Sequence, residues 1–414
     1  MTSRIYTHTF DHGLTLLAEP MDWLESAAVS VLLPAGCIYD PPDRFGLANF
    51  ACDMVQRGCG DMDSRQFLEA LERLGVSQHS SVGSAHAHYG AQLVADQLPE
   101  TLRLLAELVR RPLLPADQIE ASRQVCFQEL RGVEDSLAQR VFIELYHRLY
   151  PDPWGRSCQG DSAGVTAVSI EDVRRHVAAG HVPAGTLISV AGKFAWDDLQ
   201  TMIDARFGDW PGAVRPALQE TPAAGGYQHL QVDSAQTHIA VAYPGVPYRD
   251  PDYFQARGAV GVLSDGMSSR LFTEIREKQG LCYSVSASCH STRDRGSIIA
   301  YSATSTERAQ QTLDSLLFEL RRLVDGVQQD ELDRLKAQIK STLIMQQESS
   351  YSRSASIAAD MYYLGRVRTI DEISAQIDGL TCDSINAFLS AHPPQDFTIV
   401  TLGARPLETP CAIS

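Results

Sequence analysis

No stretch of this chain approaches the roughly 18 consecutive apolar residues that a membrane-spanning helix needs, so no membrane association is expected. The opening, "MTSRIYTHTFDHG", lacks the basic and apolar regions of a secretory signal. The nine cysteines are scattered and include no C-x-x-C pair, a usage that fits reduced thiols and a cytoplasmic location better than a disulfide framework. The formal charge of -16 and the absence of any Lys/Arg-rich run argue against nucleic-acid binding. A phosphate-binding loop is missing too: "DGMSSRLF", Asp265 to Phe272, has neither the required Lys nor the Gly spacing. Nor does "GVLSDGMSSR" match the nucleophile elbow G-x-S-x-G. What is present is a globular composition, 44% hydrophobic and 21% charged, over 414 residues, enough for two or three domains.

The chain is written twice. "DQLPETLRLLAELVRRPLLPADQIEASRQVCFQEL" resembles "TSTERAQQTLDSLLFELRRLVDGVQQDELDRLKAQIKSTL", each an amphipathic helix, a turn carrying Asp and a second long helix. Farther on, "VSIEDVRRHVAAGHVPAGTLISVAGKF" answers "LTCDSINAFLSAHPPQDFTIVTLGA", a Ser/Thr-started helix, a Pro-containing loop and a β-branched strand ending in Gly. Leu102 against Leu313, Asp117 against Asp330 and Val190 against Val400 all keep an offset of about 210 residues. The spacing implies two copies of one domain, residues 1–212 and 228–414, joined by a Pro/Gly/Ala-rich linker over 213–227. Within a copy, strands follow strands and helices follow helices, which points to an α+β layered domain instead of alternating βαβ units.

"FGLANFACDMVQRG", Phe45 to Gly58, reads as a helix with Leu47, Phe50, Ala51 and Met54 on one side. Asn49, Cys52 and Asp53, at i, i+3 and i+4, cluster on another. His86 and His88 in "SAHAHYG" share one strand face by period two and are candidate metal ligands, or a solvated or cavity-lining pair. Cys52 as a protease nucleophile would need a partnered His and an oxyanion hole, for which there is no local support.

Several segments resemble the pitrilysin-type M16 metallopeptidases, the inverzincins, which include the mitochondrial processing peptidase. The likeness runs from "FDHGLTLLAEP" and "VSVLLPAGCIYDPPDRFGLANF" through "VCFQELRGVEDS" to "DGMSSRLFTEIREKQGLCYSVSAS". It implies two homologous α+β domains, each a mostly antiparallel sheet with helices packed on it. The family's zinc motif is H-x-x-E-H on a helix, and the matching positions here are Asn49, Phe50, Ala51, Cys52 and Asp53. Both ligand histidines and the general base are replaced, while the third ligand, a Glu, falls on Glu129. One carboxylate is too few to hold catalytic zinc, and a thiol cannot take a carboxylate's part as base at neutral pH. The family's Arg/Tyr pair, which binds substrate backbone and stabilises the oxyanion at a facing zinc site, falls on Arg276 and Tyr283, with Gly280 supplying the turn between them.

Half of a bipartite site is thus retained. The resemblance implies a non-catalytic subunit without a cofactor of its own. It would pair with an H-x-x-E-H subunit of similar length that holds the zinc, and enclose a peptide substrate. A proteolytically inactive binding or scaffold protein of the same fold is one alternative. A homodimer with an altered metal site built from Cys52, Asp53, Glu129 and a nearby His is another.

Overall fold

The computed structural model describes residues 4–409 except 213, 214, 216 and 217. The last four fall in the expected linker, so that part of it lies outside the described residues. The described chain forms two compact units. The first comprises the chain up to Gly132 with Arg156–Glu220 and Met345–Met361; the second comprises Val133–Gly155, Thr221–Ile344 and the chain from Tyr362 on.

In the first unit the strands lie in the order Tyr6–Thr9, Thr15–Pro20, Leu187–Gly192, Ser26–Leu33, Ala87–Val94, Ser77–Val82. All neighbours are antiparallel except Thr15–Pro20 with Leu187–Gly192. In the second, the order is Tyr227–Gln231, Thr398–Gly403, Gln236–Gly245, Gly296–Ser305, Cys282–Ser291, with only the pair Tyr227–Gln231 and Thr398–Gly403 parallel. Without its leading hairpin strand the first sheet has the topology of the second, as the repeat predicts. Val190 and Val400 lie in equivalent strands, and Leu102 and Leu313 in equivalent helices, Leu98–Arg110 and Ala309–Arg322. The Ser/Thr starts hold as well: Ser169 and Thr381 each close a reciprocal capping box on the helix that follows.

Alternation along the strands explains the layers. Val29, Val31, Tyr89, Ala91 and Val190 face one side of the first sheet and build its core with Phe50, Met54 and Leu105, all buried. The helix Ser64–Arg73 adds Phe67 and Leu71 to that core and leaves Leu68 half exposed. The other face carries Glu19, Ser26, Ser30, Ser189, His79 and His88. It is covered by the first part of the helix Ser350–Leu364, drawn from the far end of the sequence. Arg353 ion-pairs with Glu19 there at 2.7 Å, both almost wholly buried, and Ser354 accepts a bond from Ser189 through its carbonyl. The second sheet is covered reciprocally by Leu137–Leu149, whose Val141 and Leu145 pack on Ala240, Ala242, Ile299, Val400 and Leu402. Each sheet is therefore roofed by a helix from the other half of the sequence.

Candidate functional site

The helix Leu47–Val55 starts at Gly46, whose φ of 94° suits only glycine and where a Cβ would sit 2.7 Å from the Gln159 carbonyl oxygen. Asp40, six residues upstream, caps it by accepting from the Gly46 and Ala48 amides at 2.8 and 2.9 Å. Burial raises the Asp40 carboxyl to about 7 against the lowering effect of those amides. The helix is apolar nearly all round: Leu47, Phe50, Ala51, Cys52, Met54 and Val55 are all buried. Only Asn49 and Asp53, one turn apart, stay partly exposed, so Cys52 does not share their polar stripe as its spacing had suggested.

Each position of the would-be metal site is engaged by protein. Asn49 donates through Nδ2 to Oε2 of Glu129, 2.5 Å away on the helix Ile119–Asp135. Arg57 holds Asp53 at 2.7 Å. Cys52 faces Tyr89 and Ser80, and burial pushes its thiol up to about 11, so it carries no thiolate near neutrality. His88 cannot complete a site with it. Strand alternation puts Tyr89 and its cross-strand partner Ser80 on the face toward Cys52, and His88 on the opposite face, bonded to Ser30 at 2.6 Å. Burial lowers both His86 and His88 to about 4. Among the described residues no three His, Cys, Asp or Glu side chains are placed to hold a metal ion. The altered metal site is thus not assembled, and these donors do not fit zinc.

The second constellation lies in the other unit. Arg276 is carried by a short π-helical segment, Phe272–Lys278, a geometry often found at functional sites. The segment ends at Gly280, whose φ is 60°, and the edge strand Cys282–Ser291 begins directly after. Cys282 pairs with Thr304 and Ser284 with Ala303, leaving Tyr283 as an unpaired bulge residue. A bulge re-aims its side chain, and Tyr283 is 83% exposed. The Arg276 guanidinium is sandwiched between the rings of Phe272 and Tyr283, 4.7 and 4.8 Å from their centroids. Stacking occupies the faces of the guanidinium and leaves its N–H edge available. No hydrogen bond or ion pair involves Arg276, nor any hydrogen bond the Tyr283 hydroxyl, among the described residues.

Three side chains fix the turn beneath this pair. Arg308 donates to the Gly280 carbonyl at 2.5 Å, Thr304 to that of Leu281 at 2.6 Å, and Ser302 to that of Ser284 at 3.0 Å. An open groove of about 860 Å³ runs alongside, lined in part by Gln236, Tyr283, Ser284, Glu307 and Arg308. The structure thus brings Arg276 to Tyr283 and Asn49 to Glu129, and keeps His88 on the sheet face away from Cys52, while His86 lies just before the strand Ala87–Val94. Phe272, the second ring of the sandwich, was not singled out by sequence reasoning. Its place four residues before Arg276 was the available signal.

Residues 20–161 match the family model described as insulinase (peptidase family M16), and residues 167–339 match the one described as peptidase M16 inactive domain. An uncharacterized zinc protease of Rickettsia felis is 25% identical over 377 residues, covering 90% of this chain and 91% of that protein. Another from Bacillus subtilis is 23% identical over 403 residues, covering 96% and 98%. Among solved structures, a peptidase M16 inactive domain from Pseudomonas fluorescens superposes with a TM-score of 0.88 at 20% identity, covering 98% of this chain and 99% of that one. A protease from Helicobacter pylori gives 0.87 at 18%, covering 98% and 100%.

Proposed function

This chain belongs to the peptidase M16 family, and from that premise we propose that it is the non-catalytic subunit of a heterodimeric zinc peptidase. Its partner is a chain of similar length with an intact H-x-x-E-H helix. Hydrolysis belongs to the partner's metal site, and this chain contributes Arg276 and Tyr283 to the bound peptide. The observation that carries the reading is the contrast between the two constellations. At the degenerate motif, Asn49, Asp53 and Glu129 bond to other residues of the chain and Cys52 is buried. At the Arg/Tyr pair the donors are held in place and left unspent. A planar guanidinium and a phenol, both donors, suit a carbonyl oxygen that becomes an oxyanion in the transition state.

The test is reconstitution. The chain is co-purified with a candidate H-x-x-E-H subunit, and cleavage of a peptide library is measured with wild type and with Arg276→Ala. A wild-type complex that cleaves, and an Arg276→Ala complex that forms but loses about 10²–10³ in kcat/KM, is the expected result. A partner equally active without this chain, or unaffected by the substitution, overturns the proposal. The inactive scaffold would then be the better reading.

A further inference from the structure

The loops that flank the start of the helix Leu47–Val55 hold a feature that the peptidase reading does not use. Cys37 opens a single 3-10 turn, Cys37–Tyr39, and is fully buried; Cys158 lies 121 residues later and is partly exposed. Their sulfurs are 3.2 Å apart. The Cys37 Sγ also lies 3.8 Å from the Arg156 carbonyl oxygen. The neighbouring contacts leave little freedom to either loop. Arg156 donates to the Asp40 carbonyl at 2.6 Å, and its guanidinium lies over the Phe45 ring. Gly160 approaches Phe45 and Gly46 so closely that a Cβ on it would meet three of their backbone atoms at 2.2 Å.

From this geometry we propose that Cys37 and Cys158 are a redox modification site, a dithiol that closes to an intramolecular disulfide on exposure to a peroxide. The proposal is independent of the peptidase reading. The thiols differ in a way that orders the steps. The hydrogen bond from Cys37 lowers the pKa of Cys158, whereas that bond and burial raise the pKa of Cys37 far above its usual range. Cys158 is therefore the attacking thiolate and Cys37 the resolving thiol. The Cys158 sulfur attacks one peroxide oxygen, the O–O bond breaks, and the departing hydroxide takes a proton, leaving a sulfenic acid. Cys37 then attacks that sulfur and gives up its proton, the S–O bond breaks, and water leaves. Two thiols and one hydrogen peroxide give one disulfide and two waters. The new bond staples the loop of the capping residue Asp40 to the loop of Gly160, across the start of the helix Leu47–Val55.

The test oxidises the purified wild-type chain with a small excess of hydrogen peroxide, blocks remaining thiols in denaturant and maps the peptides without reductant. The expected map shows two of the nine cysteines lost from the free pool and one linked peptide pair containing Cys37 and Cys158, which dithiothreitol separates. In Cys37→Ala, Cys158 is expected to stop at a sulfenic acid that dimedone captures. A map in which both thiols remain free, or in which either is joined to a different cysteine, overturns the proposal. The wild-type map decides whether or not the alanine variant folds, and no peptidase activity enters the readout.

Discussion

Arg276 lies between two aromatic rings, so removing the charge and removing a ring are different experiments. Tyr283→Phe keeps the stacked face and deletes only the hydroxyl. Arg276→Lys keeps a charge but loses the planar fork and its stacking. In the reconstituted complex, Arg276→Lys should lose nearly as much kcat/KM as Arg276→Ala. Tyr283→Phe should lose less, roughly tenfold or more. Neither should move the unfolding temperature measurably, since these side chains form no hydrogen bonds among the described residues and substitutions of that kind are nearly neutral, within about 0.5 kcal/mol. Buried histidines set a separate pH response. His176 donates a ring N–H to the Ala35 carbonyl and His181 to that of Val109. Burial lowers them to about 3 and about 4, below the ~6.5 of an unfolded chain. Between those values the unfolded chain binds more protons. The contribution to stability is therefore full above about pH 6.5 and is lost as pH falls toward 4. Thermal unfolding followed from pH 7.5 to 4.5 should show a declining midpoint, with a shallower slope in His181→Gln.

At the scale of elements, the two roofing helices use different chemistry. Leu137–Leu149 buries Val141 and Leu145 on an apolar sheet face, where each such side chain contributes about 1.5–3 kcal/mol. Ser350–Leu364 instead meets its sheet through serines, Tyr351 beside His79, and the buried Arg353–Glu19 pair. Arg353→Ala strands a buried carboxylate and should destabilise the chain by about 3–5 kcal/mol in urea titration. Exchanging both residues together for Met and Leu should cost far less. These helices also mark where the sequence ceased to be legible. Sequence reading singled out neither of them, although the constant offset reported that the two sheets match. Amphipathic spacing does not encode which sheet a helix will cover. The π-helical turn before Gly280 and the bulge at Tyr283 were hidden for a similar reason. Both are one-residue departures from a regular ladder, settled by packing and by bonds from Thr304 and Arg308 far along the chain. The Asn49 to Glu129 contact was legible only through the family motif.

For the whole molecule, the duplication and the exchange have a joint consequence for dissection. Neither sequence half contains a complete unit, because each unit draws a helix from the other half. Residues 1–212 and 213–414 expressed separately should each fail to give a cooperative unfolding transition. Co-expressed as two chains, they should assemble into a complex that survives size-exclusion chromatography and melts as the intact chain does. Two separately folding halves would show that the exchanged helices are dispensable.

The order of synthesis gives the exchanged helix a temporal meaning. The last strand of the first sheet leaves the ribosome at Gly192, but the helix that roofs it is not complete until more than 150 residues later. At ~5–20 residues per second that interval is roughly 8–30 seconds, long compared with hydrophobic collapse. During it, one face of the sheet stands open to water and to every other nascent chain nearby. That face carries Ser26, Ser30, Ser189, Glu19 and two histidines beside the apolar Leu17, Ala28 and Ala191. These polar groups reduce the apolar area that the half-made sheet exposes while it waits for its own C-terminal half.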